Sequence, residues 1–136
     1  MVKPIMRDIF FLRQVSVPAS EADLQTAQDL LDTYKANREH CVGLAANMIG
    51  ALKRILVFDN SGEATIMINP EILKRSQPYK AEENCLSFDG TRETTRYGTI
   101  KVRWQNLQMQ TRIKTFTGFS AQIIQHEMDH FDGIII

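Results

Sequence analysis

The chain has 136 residues, which is enough for one continuous hydrophobic core and too few for two, so we expect a single domain over residues 1–136. Sixteen basic and 16 acidic residues cancel, which excludes a global field that would draw the chain to nucleic acid or to an anionic membrane. Charged residues interrupt every apolar run in residues 1–13, which argues against a secretory signal or a membrane span and predicts a cytoplasmic protein.

The first predicted element is a helix over residues 21–38. Ser20 suits the N-cap position, and Asp23 three residues later completes an acidic variant of the capping box. Apolar residues follow at helical spacing: Leu24, Ala27, Leu30, Leu31 and Tyr34. We expect this stripe to pack into the core and the opposite face to be solvated.

The middle of the chain predicts strands. Residues 54–59 and 64–69 are apolar runs joined by an Asp-Asn-Ser-Gly turn, and the second run stops at Pro70, which indicates a hairpin. Apolar and polar residues alternate over residues 100–105, as in a half-buried strand, and residues 108–117 continue as its weaker partner.

The last predicted helix begins near Ser120 and carries an H-E-x-x-H motif at residues 126–130. Residues four apart project side by side from a helix, so His126 and His130 can bind one cation. Glu127 is close enough to reach a water on that metal without being a ligand. We expect an α+β fold in which antiparallel sheets and hairpins pack around this C-terminal metal-binding helix, with one helix near the N-terminus.

A third metal ligand must come from upstream of the motif. After His130, Asp132 would point to the opposite side of a continuing helix, and Gly133 suits a helix terminator. Of Cys41 and Cys85, the second is the better candidate, because it lies in a polar stretch followed by an apolar residue. A thiolate with two imidazoles leaves a tetrahedral position open, as a hydrolytic metal site requires. The alternative is that Cys85 is a small buried hydrophobic residue.

Three segments, in order along the chain, resemble the motifs of the peptide deformylase family. Residues 41–48, Cys-Val-Gly-Leu-Ala-Ala-Asn-Met, resemble G-φ-G-L-A-A-x-Q. Residues 83–87, Glu-Asn-Cys-Leu-Ser, resemble E-G-C-L-S, and residues 125–130 complete Q-H-E-x-D-H. The resemblance implies a metal-dependent hydrolase that removes the N-formyl group from N-formylmethionyl peptides and releases formate.

The resemblance also implies a role for each motif residue. Cys85, His126 and His130 would bind one divalent metal ion, Fe(II) in the cell, with Zn(II), Ni(II) and Co(II) as alternatives that suit the same donors. Glu127 would accept a proton from the water that the metal activates and return it to the departing amine. The backbone N–H of Leu86 would bind the developing oxyanion.

Substrate contacts follow from the same resemblance. An extended peptide would pair with the backbone of Val42 and Gly43 as an added strand. Val42, Leu86 and Ile123 would line a pocket for the methionine side chain, and Arg92 matches a position where the family often has an arginine near the substrate. The implied partners are N-formylmethionyl nascent peptides, met at the ribosome, and we expect a monomer without direct nucleic-acid or membrane contacts.

The sequence departs from the family pattern at Cys41, Met48, Asn84 and Asp89, which replace a glycine, a glutamine, a glycine and a proline. Met48 is the most serious departure, because the family's glutamine donates a hydrogen bond to the formyl oxygen and a thioether cannot donate. The amides of Asn47 and Asn84 are candidate substitutes. We therefore expect a deformylase of low activity; the alternative is a weakened paralogue that binds metal and peptide or hydrolyses a different amide.

Overall fold

The computed structural model of the protein describes residues 1–85 and 88–135, and the side chains of residues 85 and 88–90 are not part of that description. Two residues of the predicted site are affected. Leu86, with its predicted oxyanion N–H, and the side chain of the predicted ligand Cys85 lie outside the described residues.

The fold is α+β, as predicted, with helices on a single antiparallel sheet. The helices are α1 (Ile9–Leu12), α2 (Leu24–Ala36) and α3 (Gly118–Phe131). The sheet has five strands in sequential order, β1 (Gly43–Ala45), β2 (Ile55–Asn60), β3 (Glu63–Cys85), β4 (Phe88–Gln105) and β5 (Thr111–Thr117). Within the described part of the chain, no helix combines the length and the apolar character that a membrane crossing requires.

The start of the first long helix matches the capping box in the sequence. The backbone N–H of Ser20 donates to the Asp23 carboxylate at 2.9 Å, and the Ser20 hydroxyl accepts from the N–H of Ala22 at 3.3 Å. Residues 21–23 form a 3-10 turn, so the α-helix itself begins at Leu24. Leu30 is fully buried, in agreement with the predicted apolar stripe.

The predicted hairpin of β2 and β3 is confirmed, but the predicted end of the second strand at Pro70 is wrong. The strand continues to Cys85. Asn69 has a φ of +52°, and the register with β4 shifts between Ile68 and Glu71, so Pro70 lies in a bulge. A proline in a bulge removes no hydrogen bond from the ladder, which is why the strand can pass through it.

The core lies between the sheet and the two long helices. Ile100 and Val102 of β4 are fully buried, as their alternation with polar neighbours predicts, and β5 pairs alongside them. Helix α3 begins at Gly118 with Thr117 as N-cap, slightly before the position expected from the sequence. It packs against β1, β2 and β4, which brings the H-E-x-x-H motif against the sheet.

Candidate metal and active site

Helix α3 presents the three chemically active residues of the H-E-x-x-H motif together. One potential ligand atom from each of His126, Glu127 and His130 lies within 4.8 Å of the others. The two imidazole rings are 4.9 Å apart between centroids and perpendicular to each other. All three residues are at most 9% exposed. The predicted pairing of His126 and His130 on one helix face is therefore present.

Each imidazole is fixed by a hydrogen bond at its Nδ1 atom. In His126, Nδ1 lies 2.8 Å from the carboxylate Oε1 of Glu83, and in His130 it lies 2.8 Å from the backbone carbonyl oxygen of Ile134. A carbonyl and an ionised carboxylate only accept, so both Nδ1 atoms carry the proton and donate. Nε2 is then the nitrogen with which each ring can bind a metal.

Glu83 is held in its ionised form. Burial alone would raise its pKa, but hydrogen bonds from His126, Arg96 and Gln122 outweigh burial and lower the pKa of Glu83 to about 2. Arg96 is itself only 4% exposed, and it donates to Glu83 at 2.6 Å and to Asp129 at 2.7 Å. The result is a buried chain of charged groups behind His126.

Sequence analysis did not assign roles to Glu83 and Arg96. Glu83 is the first residue of the second motif, so its position was a usable signal. Arg96 lies in a Thr- and Arg-rich segment that is typical of a solvated strand, and its burial against Glu83 follows only from the tertiary structure. Gln125 is also buried, and its amide bridges the backbone N–H and carbonyl of Tyr97.

The carboxylate of Glu127 lies in a dry environment beside the histidines. The residue is 3% exposed, and burial raises its pKa to about 7. Within the described residues its Oε1 atom has no hydrogen-bond partner, and it lies 3.8 Å from Nε2 of His130. Burial also lowers the pKa of His130 to about 3, so this imidazole is neutral at physiological pH.

These groups fit a divalent transition metal. Two neutral imidazoles with their Nδ1 atoms engaged are the donors that Zn(II), Fe(II), Ni(II) and Co(II) accept. Beside them, Oε1 of Glu127 has no hydrogen-bond partner in the described part of the chain, so it is available to a water molecule at the site. The third predicted donor, the Cys85 thiolate, belongs to a side chain outside the described residues.

A cleft of about 560 Å³ opens onto His126 and Glu127. The predicted substrate-binding residues Val42, Gly43, Met48 and Ile123 all line it. Arg92 does not line the cleft: its guanidinium donates to the hydroxyl of Thr94 at 3.1 Å and lies 3.7 Å from the carboxylate of Asp129. Four of the five predicted substrate residues thus share one cleft, while Arg92 lies with the charged groups around Asp129.

Gly43 lies where β1 packs closely against α3. A Cβ atom at this position would lie 2.8 Å from Cγ2 of Ile123, 3.0 Å from the carbonyl oxygen of Val57 and 3.1 Å from Oε2 of Glu127. The residue must therefore be glycine for Glu127 to occupy its place. Strand β1 is also the edge of the sheet, so its outer side has backbone groups that an extended peptide can pair with.

Met48 brings a sulfur atom into the cleft and no donor. It is 1% exposed, in a 3-10 segment that directly follows β1, and its Sδ accepts from the N–H of Ala45 at 3.4 Å. Of the two candidate substitutes, Asn47 is fully buried and donates its amide to the carbonyl oxygen of His130 at 3.0 Å. Asn84 is exposed and lines the cleft, so it remains the candidate substitute.

Comparison with known proteins identifies the peptide deformylase family. The family model described as polypeptide deformylase matches residues 5–136. A peptide deformylase of Clostridium beijerinckii is 56% identical over 136 residues, which is 100% of both chains. The crystal structure of a Met-Ala-Ser-bound class I type b peptide deformylase from Acinetobacter baumannii is similar with a TM-score of 0.87 and 30% identity, covering 99% of this chain and 97% of that one. The peptide deformylase of Thermotoga maritima is similar with a TM-score of 0.88 and 31% identity, covering 99% and 95% of the two chains.

Proposed function

The chain belongs to the polypeptide deformylase family, and we propose how its residues perform the family's reaction. That reaction is the metal-dependent hydrolysis of the N-formyl group of N-formylmethionyl peptides, with release of formate. The observation that carries the assignment is the cluster of His126, Glu127 and His130, of which the first two line a cleft that β1 borders. The family match favours a deformylase over the alternative of a paralogue with a different amide substrate.

Cys85, His126 and His130 are the proposed metal ligands, with Nε2 as the donor of each imidazole. A divalent ion bound there would lower the pKa of a water molecule and polarise the formyl carbonyl. We propose Fe(II) as the ion in the cell, and Zn(II), Ni(II) and Co(II) suit the same set of one sulfur and two nitrogen donors. The ionised Glu83 supports His126 in this role because it fixes the orientation of the ring.

Glu127 is the proposed acid and base. It accepts the proton of the attacking water, whose oxygen forms the new bond to the formyl carbon, and it returns that proton to the amine when the C–N bond breaks. A carboxylate in water holds a proton too weakly for the second transfer, whereas burial raises the pKa of Glu127 and so favours that transfer. The products are formate and a peptide with a free amino group.

The substrate would lie along β1. We propose that Val42 and Gly43 pair with its backbone as an added strand, and that Val42 and Ile123, together with Leu86, surround its methionine side chain. The backbone N–H of Leu86 is the proposed oxyanion donor. Because Met48 adds no second donor, we propose a deformylase of reduced rate, with the Asn84 amide, which lines the cleft, as the candidate substitute.

The proposed partners are N-formylmethionyl nascent peptides. Such chains emerge from the ribosome, so we propose that the protein acts in the cytoplasm on ribosome-associated substrates. The balance of 16 basic and 16 acidic residues supports a contact with the peptide rather than with ribosomal RNA. We propose that it does so as a monomer.

A pair of cysteine variants tests the proposed ligand set. Cys85→Ala should bind less than one tenth of a metal ion per chain after dialysis, whereas Cys41→Ala, a change to a cysteine that lines the cleft, should retain the wild-type content. Elemental analysis of both variants, with the visible spectrum of cobalt-substituted samples, is the measurement. Full metal content and an unchanged cobalt spectrum in Cys85→Ala would rule this residue out as a ligand.

A further inference from the structure

The C-terminal end of α3 is a Schellman motif with Gly133 at its left-handed position. The N–H of Gly133 donates to the carbonyl oxygen of His130 at 3.1 Å, and the N–H of Ile134 donates to that of Asp129 at 3.2 Å. Gly133 has a φ of +80°. The chain therefore reverses direction immediately after the helix instead of continuing along its axis.

This reversal brings the backbone carbonyl of Ile134 back to the helix. Its oxygen lies 2.8 Å from Nδ1 of His130, a separation of four residues along the chain. In a continuing helix the side chain of His130 would point back toward the preceding turn, and the carbonyl of residue 134 would point away from it. The contact between His130 and Ile134 thus depends on the left-handed turn.

The space for the turn exists only because residue 133 lacks a side chain. A Cβ atom at Gly133 would lie 2.2 Å from the carbonyl oxygen of Arg13 and 2.7 Å from its carbonyl carbon. Both are backbone atoms, so no side-chain rotation relieves the overlap. The N-terminal segment is also fixed here, because the N–H of Ser16 donates to the carbonyl oxygen of Phe131 at 2.8 Å.

We propose that Gly133 is a positioning residue for metal binding: through the turn that it forms, the carbonyl of Ile134 holds His130 with Nδ1 protonated and Nε2 available to the metal. The inference rests on the proposed role of His130 as a ligand. The turn after α3 thus acts on His130 as Glu83 acts on His126, and each ligand is oriented by a contact of its own. Loss of such an outer contact to a ligating histidine reduces metal affinity by roughly 10- to 100-fold.

The test compares Gly133→Ala with Gly62→Ala. Gly62 also has a positive φ, +95°, but a Cβ there meets nothing within 4 Å, so Gly62→Ala introduces a similar backbone strain in the turn after β2. Metal dissociation constants are measured by competition with a chromogenic chelator. We expect Gly133→Ala to bind cobalt or zinc roughly 10- to 100-fold more weakly than the wild type, and Gly62→Ala to bind within about 3-fold of it.

A second measurement reads the tautomer directly, and its wild-type part does not depend on whether a variant folds. Long-range 1H–15N NMR spectra of the metal-free wild type should show His130 with its proton on Nδ1, and in Gly133→Ala this signal should shift toward a mixture of tautomers. The Nδ1 proton of His126, held by Glu83, should be unchanged and serves as an internal control. A proton on Nε2 of His130 in the wild type would overturn the proposal even if Gly133→Ala does not fold.

The outcomes separate this inference from the function it rests on. A wild-type protein that binds no stoichiometric metal would overturn the proposed metal site and this inference with it. A wild type that binds metal, together with a folded Gly133→Ala of equal affinity and unchanged His130 tautomer, would overturn the inference alone.

Discussion

The carboxylate of Glu83 lies 2.8 Å from Nδ1 of His126, across 43 residues of sequence. Because Arg96 donates to the same oxygen at 2.6 Å, the carboxylate remains charged although the residue is largely buried. This contact joins the end of β3 to the metal-binding helix. It orients the first imidazole of the site, and together with Asp129 it balances the buried guanidinium charge of Arg96.

Acid should therefore destabilise the protein through Glu83. Its pKa is about 2 in the fold, below the ordinary value of 4.5. A depressed carboxyl pKa contributes stability that is present above the unfolded-state pKa and is lost as the pH falls from about 4.5 toward 2. We expect the urea midpoint of metal-free wild type to fall over this range, and that of Glu83→Gln to be lower at pH 7 and to change less.

Glu93→Gln is the matched control for that titration, since Glu93 is exposed and its only recorded ion pair in the described residues is with Lys80. The urea midpoint of this variant should change with pH as that of the wild type does. An identical pH dependence in Glu83→Gln and wild type would mean that this carboxylate is not the group whose protonation destabilises the fold.

Glu127→Ala should retain the metal and lose formate release by roughly 10²- to 10⁴-fold, the usual contribution of a positioned acid and base. The ligand atoms of His126 and His130 do not depend on this carboxylate, because their Nδ1 atoms bond elsewhere. Turnover is measured with metal-quantified protein. Glu63→Gln, at the exposed β2–β3 turn, controls for loss of a negative charge. Wild-type turnover in Glu127→Ala would assign Glu127 a structural role.

Gly43→Ala should reduce kcat more than it changes metal content. The added methyl group would overlap Ile123 and lie 3.1 Å from Oε2 of Glu127, so the carboxylate must move. A carboxylate displaced in this way is less well aligned for proton transfer, so we expect kcat to fall while the metal stays bound. Combining the change with Ile123→Ala removes the 2.8 Å contact and should recover stability without restoring kcat. A kcat equal to that of the wild type would show that the position of the Glu127 carboxylate does not depend on the missing side chain at Gly43.

Met48→Gln should raise formate release by one to three orders of magnitude. One lost oxyanion donor reduces kcat by roughly 10²- to 10³-fold, or about 2.7 to 4 kcal/mol, and a glutamine amide restores such a donor. Met48 is buried at the cleft, so the new side chain would be in place to act. The comparison is made at equal metal content, with Met109→Gln in the β4–β5 loop as control. No gain from a low wild-type rate would mean that the missing amide is not what limits the reaction.

Local geometry was predictable from the sequence. The i, i+4 histidines share a helix face wherever that segment is helical, and the alternation around Ile100 indicates its strand regardless of the partner. The bulge at Pro70 was missed because a proline ordinarily ends a strand, and only the register with β4 shows that its absent N–H has no partner to lose.

Long-range partners were not predictable from one sequence. The burial of Arg96 against Glu83 and Asp129 depends on strands and a helix that meet only in the fold. Asn47 illustrates the same limit: its position next to Met48 suggested a substitute donor, yet its amide donates to His130 across 83 residues. Adjacency in sequence gives no direction for a side chain in a 3-10 segment, since consecutive residues there point about 120° apart.

The most direct test of the account is formate release from a formyl-Met tripeptide by anaerobically prepared, metal-quantified wild-type protein, with Glu127→Ala in parallel. We expect formate and free peptide amine in equal amounts, at a rate that scales with metal content and exceeds that of Glu127→Ala by roughly 10²-fold or more. Formate release no faster than in Glu127→Ala, from a protein that holds one metal ion per chain, would contradict the assignment of this site to deformylation.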